Sequence, residues 1–460
     1  MNKQQKGAKV LDVTSGPMFK KMILFAIPIM LSGMLQQTFT TTDSIIIGRY
    51  AGSNALGGVT STISLVNLLI GLFSGISTGG AIAISQAMGA KDFQKAGRYA
   101  HNAIAISLAG GIAVGIIGIL LCEPVLRAMG SPDEIFPYSV KYMKIYFAGA
   151  PFQLLYNFGS AIMRTTGDTK RPLLFLCIGG VTNIFLNMLF VICFGMDTDG
   201  VATATVMANI ISSSLVMHNL CHSTHCCAIS LRKLEFNPAA VGRIITLGVP
   251  AGVQMAMFSL SNVVLQSAFN SFGPQVVAGN GAASNIEMYA GFTADGINQA
   301  AMTFTGQNVG AGKFRRVMTV FWQGVMSSVI VMAVIATFMN VFRYQLLSLF
   351  ITDSPEAINA GSMRITTIMY FEIIMAVMNI SSSVLRGMGK SFIPMVISIF
   401  GVCVLRLVWI LGIFPHIGTL FSLYLVYPIT WSFTAVVLTA MMFYQYRCLF
   451  TKRQNVIAKI

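Results

Sequence analysis

The stretch NFGSAIMRTTGDTKRP at residues 157–172 recurs as NISSSVLRGMGKSFIP at residues 379–394. Five positions carry the same residue in both copies (Asn, Ser, Arg, Gly and Pro), and each pair is separated by 222 residues. Five ungapped matches at one offset are hard to obtain by chance. Pro28 and Pro250, both inside apolar runs, have the same separation. The sequence therefore indicates a duplicated unit, and duplicated halves around a central cavity are typical of membrane transporters.

The composition indicates a membrane protein. Apolar residues make up 55% of the 460 residues, charged residues only 10%, and the mean hydropathy is +0.72. Soluble domains contain roughly 25% charged residues. Apolar runs of about 20 residues, long enough to cross the hydrocarbon core, follow one another along almost the whole chain. We predict an all-α integral membrane protein with twelve transmembrane helices in two pseudo-symmetric six-helix lobes around a central cavity.

The predicted organisation has five parts. They are a cytoplasmic N-terminal tail (1–20), an N-lobe with spans 1–6 (21–220), a cytoplasmic inter-lobe loop (221–243), a C-lobe with spans 7–12 (244–446) and a cytoplasmic C-terminal tail (447–460).

The net charge of +15 is distributed unevenly over the loops. If the N-terminus is cytoplasmic, 23 of the 30 Lys and Arg residues lie in inner segments. By the positive-inside rule both termini are then cytoplasmic, and the basic loops contact anionic lipid. This distribution explains the charge without nucleic acid, which we do not expect as a partner. Arg364 falls in an outer segment, and Arg406 is the only Lys or Arg deep within a predicted span.

A Cys- and His-rich segment, CHSTHCC at residues 221–227, lies in the predicted inter-lobe loop. Its residue types could bind zinc, but their spacing matches no common ligand pattern and no second half-site follows. A solvated linker with incidental thiols is the alternative that we favour. We therefore expect no metal site.

Asp43 is the most conspicuous acid inside a predicted span. A carboxylate at the bilayer centre costs about 2.5–3.5 kcal/mol on insertion scales, so its presence suggests a function. Ser32, Gln36, Thr40 and Asp43 are spaced by 4, 4 and 3 residues and form one polar stripe on the first helix. Such a stripe faces a wet cavity or a helix–helix seam. The alternative is that Asp43 lies at the outer end of the span and meets water.

Polar side chains also share faces on the fifth and sixth spans. Asn183 and Asn187 are four residues apart on the fifth, and Thr205 lies on the sixth. Buried amides can connect helices by hydrogen bonds without further function. Together with Asp43 they could instead complete an oxygen-rich pocket for a proton or a small hard cation.

The second half contains three acids within predicted spans. Glu287 and Asp295 lie on the eighth span and Glu372 on the tenth. Each either lines a cavity or is neutralised by a structural partner, such as Arg406, or by water at a helix end.

Pro28 and Pro250 interrupt otherwise helical runs. Each removes a backbone hydrogen bond and bends its helix, so we predict that both act as structural hinges.

The motifs resemble those of the multidrug and toxic compound extrusion (MATE) family. The resemblance rests on DSIIIGRYAG at residues 43–52, IMRTTGDTKRP at 162–172, QNVGAG at 307–312 and LRGMG at 385–389, and it extends over residues 17–446. Membership implies twelve helices in two six-helix lobes that alternate between outward- and inward-facing states. It implies a secondary active antiporter of the bacterial plasma (inner) membrane, which exports small organic, often cationic or multidrug-type compounds in exchange for H⁺ or Na⁺. We expect a functional monomer.

The resemblance also implies a cation-responsive site at Asp43, Asn183, Asn187 and Thr205. At the position of Asn187 the family pattern has Asp, and an amide cannot take up a proton near neutral pH. The resemblance therefore implies that Glu287, Asp295 and Glu372 can share the coupling, as acids of that lobe do in other branches of the family. The coupling ion stays open between H⁺ and Na⁺, and no other cofactor is expected.

Three other functions make different demands on the sequence. A lipid or oligosaccharide flippase of the same superfamily would need a strongly basic central cavity. A membrane-embedded enzyme would need a cluster of His, Asp and Glu residues in its spans, which we do not find, and no His-Glu-x-x-His motif occurs there. A passive channel would explain polar stripes but not two mobile halves. We therefore predict an exporter that is not an enzyme.

Overall fold

A computed structural model describes residues 12–128, 130, 132–223, 226–230, 232, 234, 236–351 and 354–457. The first eleven residues of the predicted N-terminal tail, His225 of the Cys- and His-rich segment and the last three residues of the C-terminal tail lie outside the described residues.

The first half of the chain forms seven α-helices. They are α1 (Met18–Ile46), α2 (Ser53–Gly89), α3 (Phe93–Ala128), α4 (Phe136–Ala148), α5 (Ala150–Thr165), α6 (Lys170–Asn187) and α7 (Thr198–Cys221). Two of them continue as π-helical segments, α1 into Ile47–Ala51 and α6 into Met188–Cys193.

The second half repeats this order with additional breaks. Its helices are α8 (Pro238–Asn270), α9 (Pro274–Gly310), α10 (Phe314–Val341), α11 (Arg343–Ser348), α12 (Pro355–Ile368), α13 (Glu372–Gly387), α14 (Phe392–Ser398), α15 (Leu405–Val408), α16 (Phe414–Ile417) and α17 (Leu420–Ile457). A 3₁₀ segment (Met369–Phe371) joins α12 to α13, and π segments flank α15 (Ile399–Val404 and Trp409–Ile413). No strand occurs in the described part of the chain.

Ten helical stretches among the described residues are long and apolar enough to cross a membrane. The all-helical membrane class is thereby confirmed. It follows from the composition, because a helix satisfies its own backbone hydrogen bonds where no water is present. The ten do not include α4 and α5, which have 13 and 16 residues, or the long α9, which contains Glu287 and Asp295.

The repeated motif forms the same turn in both copies. Gly167 N donates to the carbonyl oxygen of Arg164 at 2.9 Å, and Gly389 N donates to that of Arg386 at 2.7 Å. Both glycines have a positive φ, +97° and +81°, in the left-handed region that glycine adopts without steric cost. The sequence match therefore reflects a shared backbone requirement at the end of a helix.

One helix of each copy is broken at the same repeat position. Gly149 separates α4 from α5, and Met369–Phe371 separates α12 from α13; Phe371 lies 222 residues after Gly149. In the first copy Pro151 follows the break and fits the first turn of α5, where a missing N–H costs little. The duplication thus extends to an irregularity that no apolar pattern reveals.

The described chain divides into two compact units. Among the described residues, unit 1 contains Asp12 and residues 31–252, and unit 2 contains residues 13–30 and 253–457. Each boundary lies two residues after a proline inside a helix, Pro28 in α1 and Pro250 in α8. The predicted lobes (21–220 and 244–446) do not divide α1 or α8 at its proline. In the structure, each of these two helices is divided between the two units. The lobe limits and the hinge role of the prolines stay predictions.

Within unit 1, glycines allow α2 and α8 to approach backbone to backbone. A Cβ added to Gly75 would collide with the backbone of Gly252, and one added to Gly79 would collide with the backbones of Ile244 and Gly248. The spacing is four residues on both helices. Small residues at this spacing let membrane helices pack closely, which replaces the hydrophobic driving force that lipid does not supply.

We expect that Gly248→Ala destabilises the protein. Its Cβ would lie 2.6 Å from Ile76 Cα, so the helices must separate, and overpacking of this kind costs about 1–3 kcal/mol. Gly242→Ala on the same helix meets nothing within 4 Å and should be neutral or stabilising by about 0.5–1 kcal/mol. The thermal unfolding midpoints of the two variants are measured in detergent. Equal midpoints would contradict the close approach of α2 and α8.

Candidate functional site

Two glycines on α6 bring three helices of unit 1 together. A Cβ on Gly180 would collide with the ring of Phe39 on α1, and one on Gly179 would collide with the Ser212 hydroxyl on α7. That hydroxyl donates to Phe175 O of α6 at 3.1 Å. Phe39 lies one turn before Asp43, and Gly180 lies two turns before Asn187. The close approach therefore places the polar residues of α1, α6 and α7 next to one another.

Four predicted site residues of unit 1 form a continuous chain of hydrogen bonds, here called the Asp43 network. Asn187 Nδ2 donates to Asp43 Oδ1 at 2.6 Å and also to Asn183 Oδ1 at 3.2 Å. Asn183 Nδ2 donates in turn to Thr205 Oγ1 at 3.3 Å. The Thr205 hydroxyl donates to the backbone oxygen of Val201 at 2.9 Å. The network thus connects α1, α6 and α7.

Burial distinguishes the members of the Asp43 network. Asn187 is fully buried and Asn183 is 5% exposed, whereas Asp43 and Thr205 are half-buried. The Asn187 Oδ1 atom is buried and has no hydrogen-bond partner. Asn187 Oδ1 and the Asp43 carboxylate thus offer hard oxygen atoms next to each other. Such atoms can accept a hydrogen bond from a proton donor or bind a small cation. Gln36 does not join the network, since its side chain is exposed.

Two tyrosines near Asp43 were not recognised from the sequence. The rings of Tyr142 and Tyr146 stack on α4 at a centroid distance of 5.7 Å, and both hydroxyls feel the charge of Asp43. Their i, i+4 spacing was the available signal. It did not distinguish them from the many aromatic residues that simply pack in helices.

In unit 2, Glu287 is held by an arginine that we had assigned to an outer segment. Arg364 Nε and Nη2 donate to the two carboxylate oxygens of Glu287 at 2.9 and 2.6 Å. Its Nη1 donates to Asn280 Oδ1 at 2.6 Å. Both charged side chains are nearly buried, at 5% and 10% exposure. Arg364 is thus buried on α12, and Arg364 rather than Arg406 is the structural partner of Glu287.

The other two acids of unit 2 have different surroundings. Glu372 is 5% exposed, and its Oε2 atom has no hydrogen-bond partner. Asp295 is exposed, accepts a 3.4 Å hydrogen bond from Asn298 Nδ2 and interacts electrostatically with Arg386. Arg386 also donates to Gln254 Oε1 at 2.7 Å. Glu372 interacts electrostatically with Glu287 and Asp295, so the three acids form one group.

The residues just after the Cys- and His-rich segment contact α3 and α7. Ser230 N donates to His101 Nε2 at 3.0 Å, and Ile229 N donates to Leu220 O at 3.0 Å. Cys226 and Cys227 lie with their sulfurs 3.8 Å apart. The described residues contain no group of three or more His, Cys, Asp or Glu side chains that could hold a metal ion. His225 lies outside them, so the absence of a metal stays a prediction.

We expect that Arg364→Gln is strongly destabilising, because it leaves the Glu287 carboxylate buried and unpaired. Breaking one partner of a buried ion pair typically costs about 3–5 kcal/mol. The double variant Arg364→Gln with Glu287→Gln removes both charges and should regain much of that loss. Thermal unfolding of the two single variants and the double variant gives the coupling. A double variant as unstable as the sum of the singles would contradict the pair.

We expect Cys226 to be alkylated faster than Cys227. The hydrogen bond with the Cys227 thiol lowers the pKa of Cys226 below its usual value, so more of it is thiolate at neutral pH, and Cys227 is buried. Cys227→Ala removes the donor and should shift the rate of iodoacetamide labelling at Cys226 to higher pH. Peptide mass spectrometry measures both rates. Faster labelling of Cys227 would contradict the arrangement.

Known structures share this fold. An outward-facing multidrug resistance MATE family transporter of the MOP superfamily superposes with a TM-score of 0.91 at 22% identity, over 97% of this chain and all of that one. A MOP superfamily transporter from Pyrococcus furiosus superposes with a TM-score of 0.90 at 21% identity, over 97% of this chain and 99% of that one. Its description states that a binding pocket of reverse polarity suggests a different function for it.

Sequence comparison gives the family. The probable multidrug resistance protein YoeA of Bacillus subtilis is 30% identical over 391 residues, which is 84% of either chain. The probable multidrug resistance protein NorM of Thermotoga maritima is 24% identical over 397 residues, also 84% of either chain. The MatE family model matches residues 28–189 and again residues 250–410. The double match begins at the two prolines and agrees with the repeat, and the family that the motifs indicated is confirmed: the chain belongs to the MatE family.

Proposed function

We propose that this protein is a secondary active antiporter that exports small organic, cationic or multidrug-type compounds in exchange for H⁺ or Na⁺. Membership of the MatE family and relatives described as multidrug resistance proteins support export of small molecules. The observation that supports coupling to an ion is the Asp43 network. In it, a half-buried carboxylate within a membrane-spanning stretch accepts a hydrogen bond from the fully buried amide of Asn187. An acid in this position normally marks an ion or substrate pathway.

The proposed mechanism is competition at the carboxylate of Asp43. In the outward-facing state, an ion that binds Asp43 removes the negative charge that holds a cationic substrate, and the substrate leaves. In the inward-facing state, loss of the ion restores the charge and the next substrate binds. A ligand shifts a conformational equilibrium only by its different affinity for the two states. The ion must therefore bind one state more tightly, and the substrate the other.

Unit 2 supplies a second place for the coupling ion. Arg364 already neutralises Glu287, whereas Glu372 is buried with one oxygen unbound. Protonation of Glu372 would remove a buried charge and give that side chain a donor. Because Asn187 replaces the acid of the family pattern, Glu372 is the residue that we propose to compensate for the missing proton carrier.

The finer architecture also belongs to this proposal. The ten apolar spans, together with α4–α5 and α9, would complete twelve transmembrane helices in two six-helix lobes around a central cavity. Alternating access would proceed by movement of these lobes, with Pro28 and Pro250 as hinges. We place the protein in the bacterial plasma membrane as a monomer with both termini in the cytoplasm, on the strength of its Lys and Arg distribution.

Export of an anionic lipid or oligosaccharide is the second candidate. The observation in its favour is the set of buried or half-buried arginines in unit 2, which is larger than the sequence suggested: Arg364, Arg386 and Arg406. One of these charges is paired with Glu287 and another lies near Asp295. This partial neutralisation favours the organic cation exporter over a flippase for a diphosphate.

We expect proteoliposomes containing the protein to move ethidium, a fluorescent organic cation, against its gradient when either a pH or a Na⁺ gradient is imposed. Asp43→Asn should abolish this ion-driven transport, because the amide binds neither ion as a charged ligand. Fluorescence of the accumulated dye gives the rate under each gradient.

Asp133→Asn makes the same chemical change at an exposed position after α3 and should leave the rate unchanged. Insertion is checked by the yield of monodisperse protein for each variant. Full ion-driven transport by Asp43→Asn would reject the role of the Asp43 network.

A further inference from the structure

Arg406 is a buried cation inside a predicted span without an acidic partner in the described part of the chain. It lies on α15, within the apolar stretch Phe392–Ile417, and is 3% exposed. No ion pair among the described residues includes it, and its electrostatic neighbours are Tyr427, Cys403 and Arg364. A charge in the hydrocarbon region is costly, so an unpaired one requires an explanation.

Arg364 shows what a complete site of this kind contains. Its Nη1 donates to the amide oxygen of Asn280, its Nε and Nη2 bind both oxygens of Glu287, and its guanidinium lies 5.3 Å from the centre of the Tyr427 ring. One edge of the guanidinium is thus occupied by a carboxylate in the bidentate geometry that suits its planar fork.

Arg406 has neighbours of the same kinds, an amide oxygen and the Tyr427 ring, but no carboxylate. Its Nη1 donates to the amide oxygen of Asn262 at 2.7 Å, and its guanidinium lies 4.7 Å from the same Tyr427 ring. Its Nε is buried and has no hydrogen-bond partner. The Nε atom, which binds Glu287 in Arg364, therefore has no hydrogen-bond partner in Arg406.

Glu372 does not supply the missing group. The charged neighbours that act on it are Glu287, Arg364 and Asp295, and Arg406 is not among them. No carboxylate of the described residues therefore pairs with Arg406.

The position of this site within the repeat supports a role in binding. Tyr427 lies 222 residues after Thr205 of the Asp43 network. Asn262 is on α8, which corresponds to α1, and Arg406 is on the stretch that corresponds to α6 and its π segment. The corresponding helices of unit 1 and unit 2 therefore carry an acid in one copy and a base in the other. π segments, which flank α15, are frequent at functional sites.

We propose that Arg406, Asn262 and Tyr427 form an anion subsite that binds the carboxylate of a small organic acid or of a zwitterionic substrate. The carboxylate occupies the Nε–Nη2 edge of Arg406, as Glu287 does in Arg364. This assignment deepens the proposed function, because it adds substrates with a negative group to the organic cations. Only the statement that the bound compound is transported rests on the proposed function; the binding of the carboxylate does not.

The test is equilibrium binding of radiolabelled benzoate to the purified full-length protein in detergent. The wild type should bind benzoate saturably, and methyl benzoate, which has the same ring without the charge, should not compete. Arg406→Gln should weaken binding by about tenfold or more, as expected for loss of charge-assisted hydrogen bonds. Arg315→Gln, the same change at an exposed position of unit 2, should bind as the wild type does.

Each other outcome decides against the subsite. Absence of saturable binding to the wild type, competition by methyl benzoate, or unchanged binding by Arg406→Gln would overturn it. If Arg406→Gln does not yield monodisperse protein, Arg406→Lys keeps the charge without the planar fork and should bind more weakly, and unchanged binding would again overturn the proposal. Benzoate has no cationic group and no gradient is imposed, so the result is independent of whether Asp43 couples export to an ion.

Discussion

The cost of leaving a polar group unpaired away from water is the constraint on which the rest of this structure depends. In unit 1 the fully buried Asn187 amide donates both to Asp43 and to Asn183. In unit 2 the Glu287 carboxylate receives two hydrogen bonds from Arg364. A hydroxyl or amide donor can bond to a carbonyl of its own helix, as Thr205 does to Val201 O. A carboxylate needs a donor instead, and the N–H groups of its helix already bond to carbonyls, so a buried carboxylate requires contact between helices.

Glycine determines how close that contact is. The Phe39 ring occupies the space that a side chain at Gly180 would fill, and this brings α1 to the face of α6 that carries Asn187. The same principle operates between α2 and α8, where Gly75 and Gly252 meet backbone to backbone. Glycines, which have no side chain, thus position the functional groups. They lie one or two helical turns from the residues that carry those groups.

The two copies of the repeat have kept their backbone and changed their chemistry. The helix-ending turns at Gly167 and Gly389 retain the same conformation, because only glycine adopts it at no cost. Side chains that point between helices are not constrained in this way. The hydroxyl of Thr205 in the first copy is replaced by the Tyr427 ring in the second, near which two guanidinium groups lie. A fold of this kind can therefore hold sites of opposite charge, and function must be argued from the residues of each site.

The sequence by itself determined the membrane class, the duplication and the grouping of Asn183 with Asn187, because composition and helical period are local properties of the chain. It also identified Asp43, since an acid in an apolar run is conspicuous at any position. The partner of Glu287 could not be obtained in this way: Arg364 reads as an outer residue, and its burial depends on how α12 packs against α9. The break at Met369–Phe371 and the unpaired Nε atom of Arg406 were likewise decided only by the tertiary structure. Which side chains pair between two helices depends on the rotation of each helix about its axis and on the distance between the helices. The sequence of a single helix determines neither.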